Sequence, residues 1–102
     1  ERENSKAGES KGKGNLFIVN LKKQQEINQI QIEEDIKKGE RIRKYIVEAG
    51  VDDTWEKVCE GTSVGHKRIE RFDKIKTSSV RLSIVESVET PVIKCFSVYL
   101  YE

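Results

Sequence analysis

Nine side chains of this 102-residue sequence have types suited to recognising a sugar. Trp55, Tyr45, Tyr99 and Tyr101 are aromatic platforms, and Glu33, Arg41, His66, Lys67 and Arg68 are hydrogen-bonding groups. The chemistry would be an aromatic face laid on the apolar side of a pyranose, with charged and polar groups holding its hydroxyls. Trp55, His66, Lys67, Arg68 and Arg41 are the candidate glycan contacts. Each has a competing structural use. A single tryptophan at the start of a strand tends to pack, with its N–H tied to backbone. The basic run His66–Arg71 alternates around Ile69, as a solvated strand face would.

Catalytic and metal chemistry find less support. His66 is the sole histidine, and it has no neighbouring serine or cysteine in a nucleophile-elbow setting, so no triad is assigned. Glu33-Glu34-Asp35 and Asp52-Asp53 offer oxygens for calcium but lack the spacing of a calcium loop. Cys59 and Cys95 lie far apart without a C-x-x-C pattern, which argues against zinc. A disulfide between them would stabilise the fold by roughly 4 kcal/mol; the other reading is two separate small core or edge residues. No catalytic residue, metal ligand or cofactor is assigned.

Charged residues make up 36% of the chain and hydrophobic ones 35%, with a net charge of +1. That balance gives no field to hold nucleic acid or an anionic membrane, and neither is expected as a partner. No apolar run approaches the ~20 residues of a membrane helix, and no signal-peptide pattern opens the sequence. Eleven isoleucines and ten valines against four leucines tilt the apolar material toward strands.

The elements that must position the candidates follow from periodicity. Residues 1–14, with three glycines and one apolar residue, are expected to be a flexible lead-in, and residues 15–102 a β-sandwich domain. Leu16–Leu21 suggests a strand buried on both faces. Lys22–Lys38 is divided: Ile27, Ile30 and Ile36 suit a helix, whereas Asn28–Ile32 alternates as a strand. Arg41–Ala49 is a strand with Tyr45, Val47 and Ala49 on one face, and Ile42 and Ile46 on the other. Trp55–Cys59 and Lys67–Phe72, joined by Gly61-Thr62-Ser63-Val64-Gly65, suggest a hairpin. Asp73–Ser79 looks like a polar connection. Val80, Leu82 and Ile84 alternate cleanly, and Phe96, Val98 and Leu100 share a face of the last strand. About seven strands at short spacing argue for a sandwich.

Several stretches carry a family resemblance. Trp55–Ile69, Glu33–Arg41 with Ile42, Tyr45–Ala49, Arg81-Leu82 and Pro91-Val92-Ile93 resemble, in order and spacing, the C-terminal discoidin-like (galactose-binding-like) β-sandwich of family-29 α-L-fucosidases. The resemblance implies an all-β antiparallel jelly roll, with a strand at Ile27–Glu33 and a loop at Glu34–Glu40. It implies a non-catalytic domain that supports an upstream catalytic (β/α) barrel and can contact glycan. The two carboxyl groups that glycoside hydrolysis needs would lie in that barrel, and the setting would be extracellular, periplasmic or lysosomal. Glu1–Gly14 does not match the family's opening segment, which leaves open a sandwich lacking its first strand or strands. The alternative is a free-standing discoidin-type module binding carbohydrate or protein.

Overall fold

Alternating apolar residues decide which side of each strand faces inward. Val80, Leu82 and Ile84 are buried as a set, as are Tyr45, Val47 and Ala49. The computed structural model describes residues 4–101; Glu1–Glu3, part of the expected lead-in, lie outside the described residues. Six strands follow one another: β1 (Asn4–Lys13), β2 (Leu16–Glu34), β3 (Ile42–Val51), β4 (Thr54–Gly61), β5 (Arg68–Ser87) and β6 (Val92–Tyr101). A single 3-10 turn, Ile36–Lys38, separates β2 from β3. The strands form one sheet in the order β1-β6-β2-β5-β3-β4, with antiparallel neighbours throughout. It curls into a half-barrel, the all-β architecture expected of a discoidin-like sandwich.

The two central strands make the curl possible. β2 and β5 pair along nearly their whole length, but the register jumps between Asn20↔Ser79 and Gln25↔Thr77. The surplus residues of β2 include the exposed Lys22, Lys23 and Gln24. Such a bulge bends a strand and sharpens its twist, so each long strand serves both halves of the sandwich. The enclosed interior holds Phe17, Val19, Leu21, Ile27, Ile30, Ile32, Tyr45, Leu82, Phe96 and Val98. The divided segment resolves in favour of strand: Lys22–Glu34 continues β2, and Ile27, Ile30 and Ile32 all reach the interior because the strand is bulged.

Four local expectations differ from the structure. Leu16–Leu21 is buried on one face only: Phe17, Val19 and Leu21 point in, while Leu16 and Ile18 are exposed. Ile42 is buried with Tyr45 rather than opposite it, since a register shift between Ile42 and Lys44 switches its side. Asp73–Ser79 is no connection but the middle of β5, so the strands number six among the described residues.

The lead-in is the fourth. Asn4–Lys13 is a strand paired with β6, from Asn4↔Tyr101 to Lys13↔Val92. Its small residues permit this. A Cβ at Gly8 would come within 2.7 Å of Val19 Cγ1, so only a glycine lets this edge strand lie so close to the core side chains of β2. Few apolar side chains are needed when the backbone ladder of β6 supplies the partner groups.

The expected hairpin also resolves otherwise. β4 pairs with β3, and β3 lies between β4 and β5. The true hairpin is β3–β4, closed at Val51-Asp52-Asp53-Thr54, where Asp52 and Asp53 have φ of 49° and 67°. Gly61–Lys67 instead carries the chain from β4 to the opening part of β5, which pairs with β2, and Val64 from this crossing is buried in the core. A Cβ on Gly61 would fall 2.5 Å from Tyr45 Oη; the glycine is there because the phenol passes over it.

Candidate functional site

The residues at the Glu34 end of the sheet are held by one buried carboxylate. Glu34 ends β2 and is 1% exposed. Its Oε2 accepts from the backbone N–H of Arg41 at 2.6 Å and of Ile42 at 3.2 Å. Its Oε1 is buried and has no hydrogen-bond partner among the described residues. Between these anchors Asp35 Oδ1 accepts from Lys37 N at 3.1 Å. Gly39, at φ 87°, donates its N–H to Ile36 O. Glu33, not Glu34, is the polar group that the sequence singles out in this stretch. The signal for Glu34 is the spacing from its carboxylate to the chain's return at Arg41-Ile42, a loop short enough for one side chain to close.

Arg41 braces the neighbouring loop. Its Nη1 donates to Thr90 O at 2.8 Å and its Nη2 lies 3.7 Å from Glu89 Oε1. His66 is exposed and borders a hollow with Glu34, Asp35, Ile36, Lys37 and Lys94. Arg68 opens β5 opposite Ile32. Its Nε donates to Glu70 Oε2 at 2.9 Å, and the same oxygen accepts from Tyr45 Oη at 3.1 Å. Burial, with Glu70 nearby, pushes the Tyr45 hydroxyl well above the usual phenol range. The same two causes, burial first, push the Cys59 thiol up to about 12. Lys67 is exposed in the crossing segment. Arg41, His66 and Arg68 therefore share one end of the sheet, each with structural neighbours.

Trp55 stands at the other end. It lies opposite Gly50, whereas Gly61 lies opposite Tyr45, so about five strand residues, or roughly 17 Å, separate the two regions. Trp55 is 37% exposed, and the Arg81 guanidinium sits 4.3 Å above its ring centroid. Arg81 Nε also donates to Glu48 Oε1 at 2.7 Å. Beside the ring runs a groove lined by Gln24, Gly50, Asp52, Asp53, Thr54, Ser78 and Ser79. The five candidate contacts thus do not converge on one spot. Arg81, which covers one face of Trp55, is not among them, and no sequence spacing links positions 55 and 81.

Metal and thiol chemistry can be placed as well. No group of three or more His, Cys, Asp or Glu is set to hold a metal ion among the described residues. Cys59 and Cys95 are free thiols on β4 and β6, strands separated by three others in the sheet.

The curled all-antiparallel sheet defines a discoidin-like module. The family model of the F5/8 type C domain matches residues 4–96, and the chain belongs to that family. Several of its relatives are assigned as fucosidases. An Oryza sativa subsp. japonica protein assigned as α-L-fucosidase 1 is 34% identical over 81% of this chain, which spans 16% of that protein. A crystal structure of a Bacteroides thetaiotaomicron protein assigned as an α-L-fucosidase superposes with a TM-score of 0.91 at 43% identity, covering 93% of this chain and 22% of that one. A Ruminococcus gnavus family-29 fucosidase, solved in complex with fucose, matches at 27% identity and TM-score 0.75, covering 85% of this chain and 18% of that one. The chain corresponds to the discoidin-like domain of these longer proteins.

Proposed function

We propose that this chain is a non-catalytic β-sandwich domain of an α-L-fucosidase-like glycoside hydrolase, supporting the catalytic (β/α) barrel. The observation that carries the reading is the 43% identity and TM-score of 0.91 across 93% of this chain against a fifth of a fucosidase-assigned protein. The carboxylates support it. Hydrolysis of a glycoside needs two of them facing a sugar across a deep site. Here Glu34 serves two backbone amides, Glu70 serves Tyr45 and Arg68, and Glu48 serves Arg81. The reading carries with it an extracellular, periplasmic or lysosomal setting.

The test compares three proteins: this chain, a longer polypeptide containing it, and that polypeptide with the domain removed. Aryl α-L-fucoside hydrolysis is expected from the longer polypeptide and not from the chain alone. Removing the domain is expected to shorten the enzyme's half-life at elevated temperature. Hydrolysis by the chain alone, or a half-life indifferent to its removal, would overturn the reading.

Contact with glycan is a second reading, favoured by the groove where Trp55 meets Gln24, Asp52, Asp53, Thr54, Ser78 and Ser79. A ring edge among so many hydroxyl and carboxylate acceptors suits a sugar's mixed surface. Binding to a glycan array that disappears in a folded Trp55→Ala variant would support it. An array blank with the unaltered chain would remove it.

A further inference from the structure

We infer that the outer face of β2, β5 and β3, centred on Leu16, Ile18 and Val85, is the surface by which this domain seats on the catalytic domain of a longer fucosidase-like polypeptide. The inference rests on the function proposed above and assigns the contact.

Directly opposed residues of antiparallel strands share a face. Leu16 opposes Ser83 and Ser83 opposes Ile46; in the next row Ile18 opposes Arg81 and Arg81 opposes Glu48. Val85 follows Ser83 on the same side of β5. The opposite sides of these strands carry Phe17, Val19, Leu82, Ile84, Tyr45 and Val47, which fill the interior. The outer row is therefore not core. Leu16 is 54% exposed, Ile18 42% and Val85 50%. A sheet with one solvated face ordinarily alternates apolar-in with polar-out, and β2 breaks that rule at two successive outward positions. Ser83, between Leu16 and Ile46, is the small residue of that row. Charges flank the apolar centre: Arg81 pairs with Glu48, and Lys57 with Glu60 further out on β4. An apolar centre with a charged margin is the anatomy of a protein interface rather than of a sugar site.

The occupant follows from chain length. This chain spans only 16% of its rice relative and 22% of the Bacteroides structure, so several times its own mass is tethered beside it in such proteins. A tethered partner is present at high effective concentration and needs only a modest patch to stay docked. A second copy of this chain, arriving by diffusion, has no such advantage.

The test is thiol footprinting in a Cys59→Ala, Cys95→Ala background, with Ile18→Cys as the probe and Ser63→Cys on the crossing segment as the control. Maleimide labelling of the Ile18→Cys thiol is expected to be fast in this chain alone and about tenfold or more slower in the longer polypeptide. The control is expected to label equally in both. Val85→Cys replaces the probe if Ile18→Cys fails to fold. Equal probe rates in the two proteins overturn the surface; where domain removal still shortens the enzyme's half-life, the proposed function stands without it. A probe already protected in this chain alone, at concentrations where it elutes as a dimer, overturns the inference in favour of self-association.

Discussion

Glu34 Oε2 lies 2.6 Å from the backbone nitrogen of Arg41, seven residues later in the chain. With its second bond to Ile42, this one buried carboxylate replaces the ladder partners that two amides lose where β2 gives way to β3. Glu34→Ala leaves those donors unpaired and is expected to cost about 2–4 kcal/mol. Glu34→Gln keeps an acceptor and should cost less. Urea denaturation of both variants measures this; a Glu34→Ala protein as stable as the unaltered one would refute the role.

Gly61 and Tyr45 touch so closely that any side chain at position 61 displaces the ring. Cβ would meet Oη, Cζ and Cε2 at 2.5, 2.6 and 2.8 Å. Tyr45 is fully buried and cannot swing away, so Gly61→Ala is expected to lose about 1–3 kcal/mol. Thermal unfolding would show it, together with a loss of dispersed tyrosine signals in NMR spectra. A variant with unchanged midpoint would count against the packing described.

The β3–β4 turn is under conformational strain that substitution can relieve. Asp52 and Asp53 both hold positive φ, the arrangement for which Asn-Gly is preferred. Changing Asp52→Asn together with Asp53→Gly is expected to raise stability by about 0.5–1 kcal/mol, read by chemical denaturation. A loss of stability would mean that the aspartate side chains contribute more there than the strain costs.

The only tryptophan reports on Arg81. Removing the guanidinium from above Trp55 and from Glu48 by Arg81→Ala should cost about 1 kcal/mol. It should also shift Trp55 emission to longer wavelength as water replaces the cation. Unchanged emission would place the ring elsewhere.

Alkaline pH should weaken the fold in a defined direction. The Cys59 thiol is raised from its ordinary value near 9 to about 12 by burial and by Glu70, and the Tyr45 hydroxyl is raised as well. Between the unfolded and folded values the native state binds more protons, so stability falls as pH rises above about 9. Below that pH the contribution is fully present. Cys59 should also alkylate far more slowly than a peptide thiol at pH 8. Denaturation midpoints that stay level from about pH 8 to 11 would contradict both shifts.

Local sequence carried much of the sheet. The alternation of Val80, Leu82 and Ile84, and of Tyr45, Val47 and Ala49, fixed an inward face wherever the strand ran without a bulge, because side chains alternate with a period of two. The wealth of β-branched residues and the ordered motifs from Glu33 to Ile93 pointed to the discoidin-like family to which the chain belongs.

Pairing between distant segments was the part that residues alone could not set. Whether Trp55–Cys59 pairs with Lys67–Phe72 or with β3 depends on which backbone edges are free, and both candidate edges look alike in sequence. Asn4–Lys13 resembled a solvated tail because an edge strand with glycines against the core is stabilised by the ladder of β6, not by its own side chains. The bulges that turned Ile42 inward and bent β2 belong to the same class of fact. Side-chain direction follows from the residue's own place in a strand, but strand order, bulges and the meeting of Glu34 with Arg41 or Trp55 with Arg81 are settled only when the whole sheet closes over one interior.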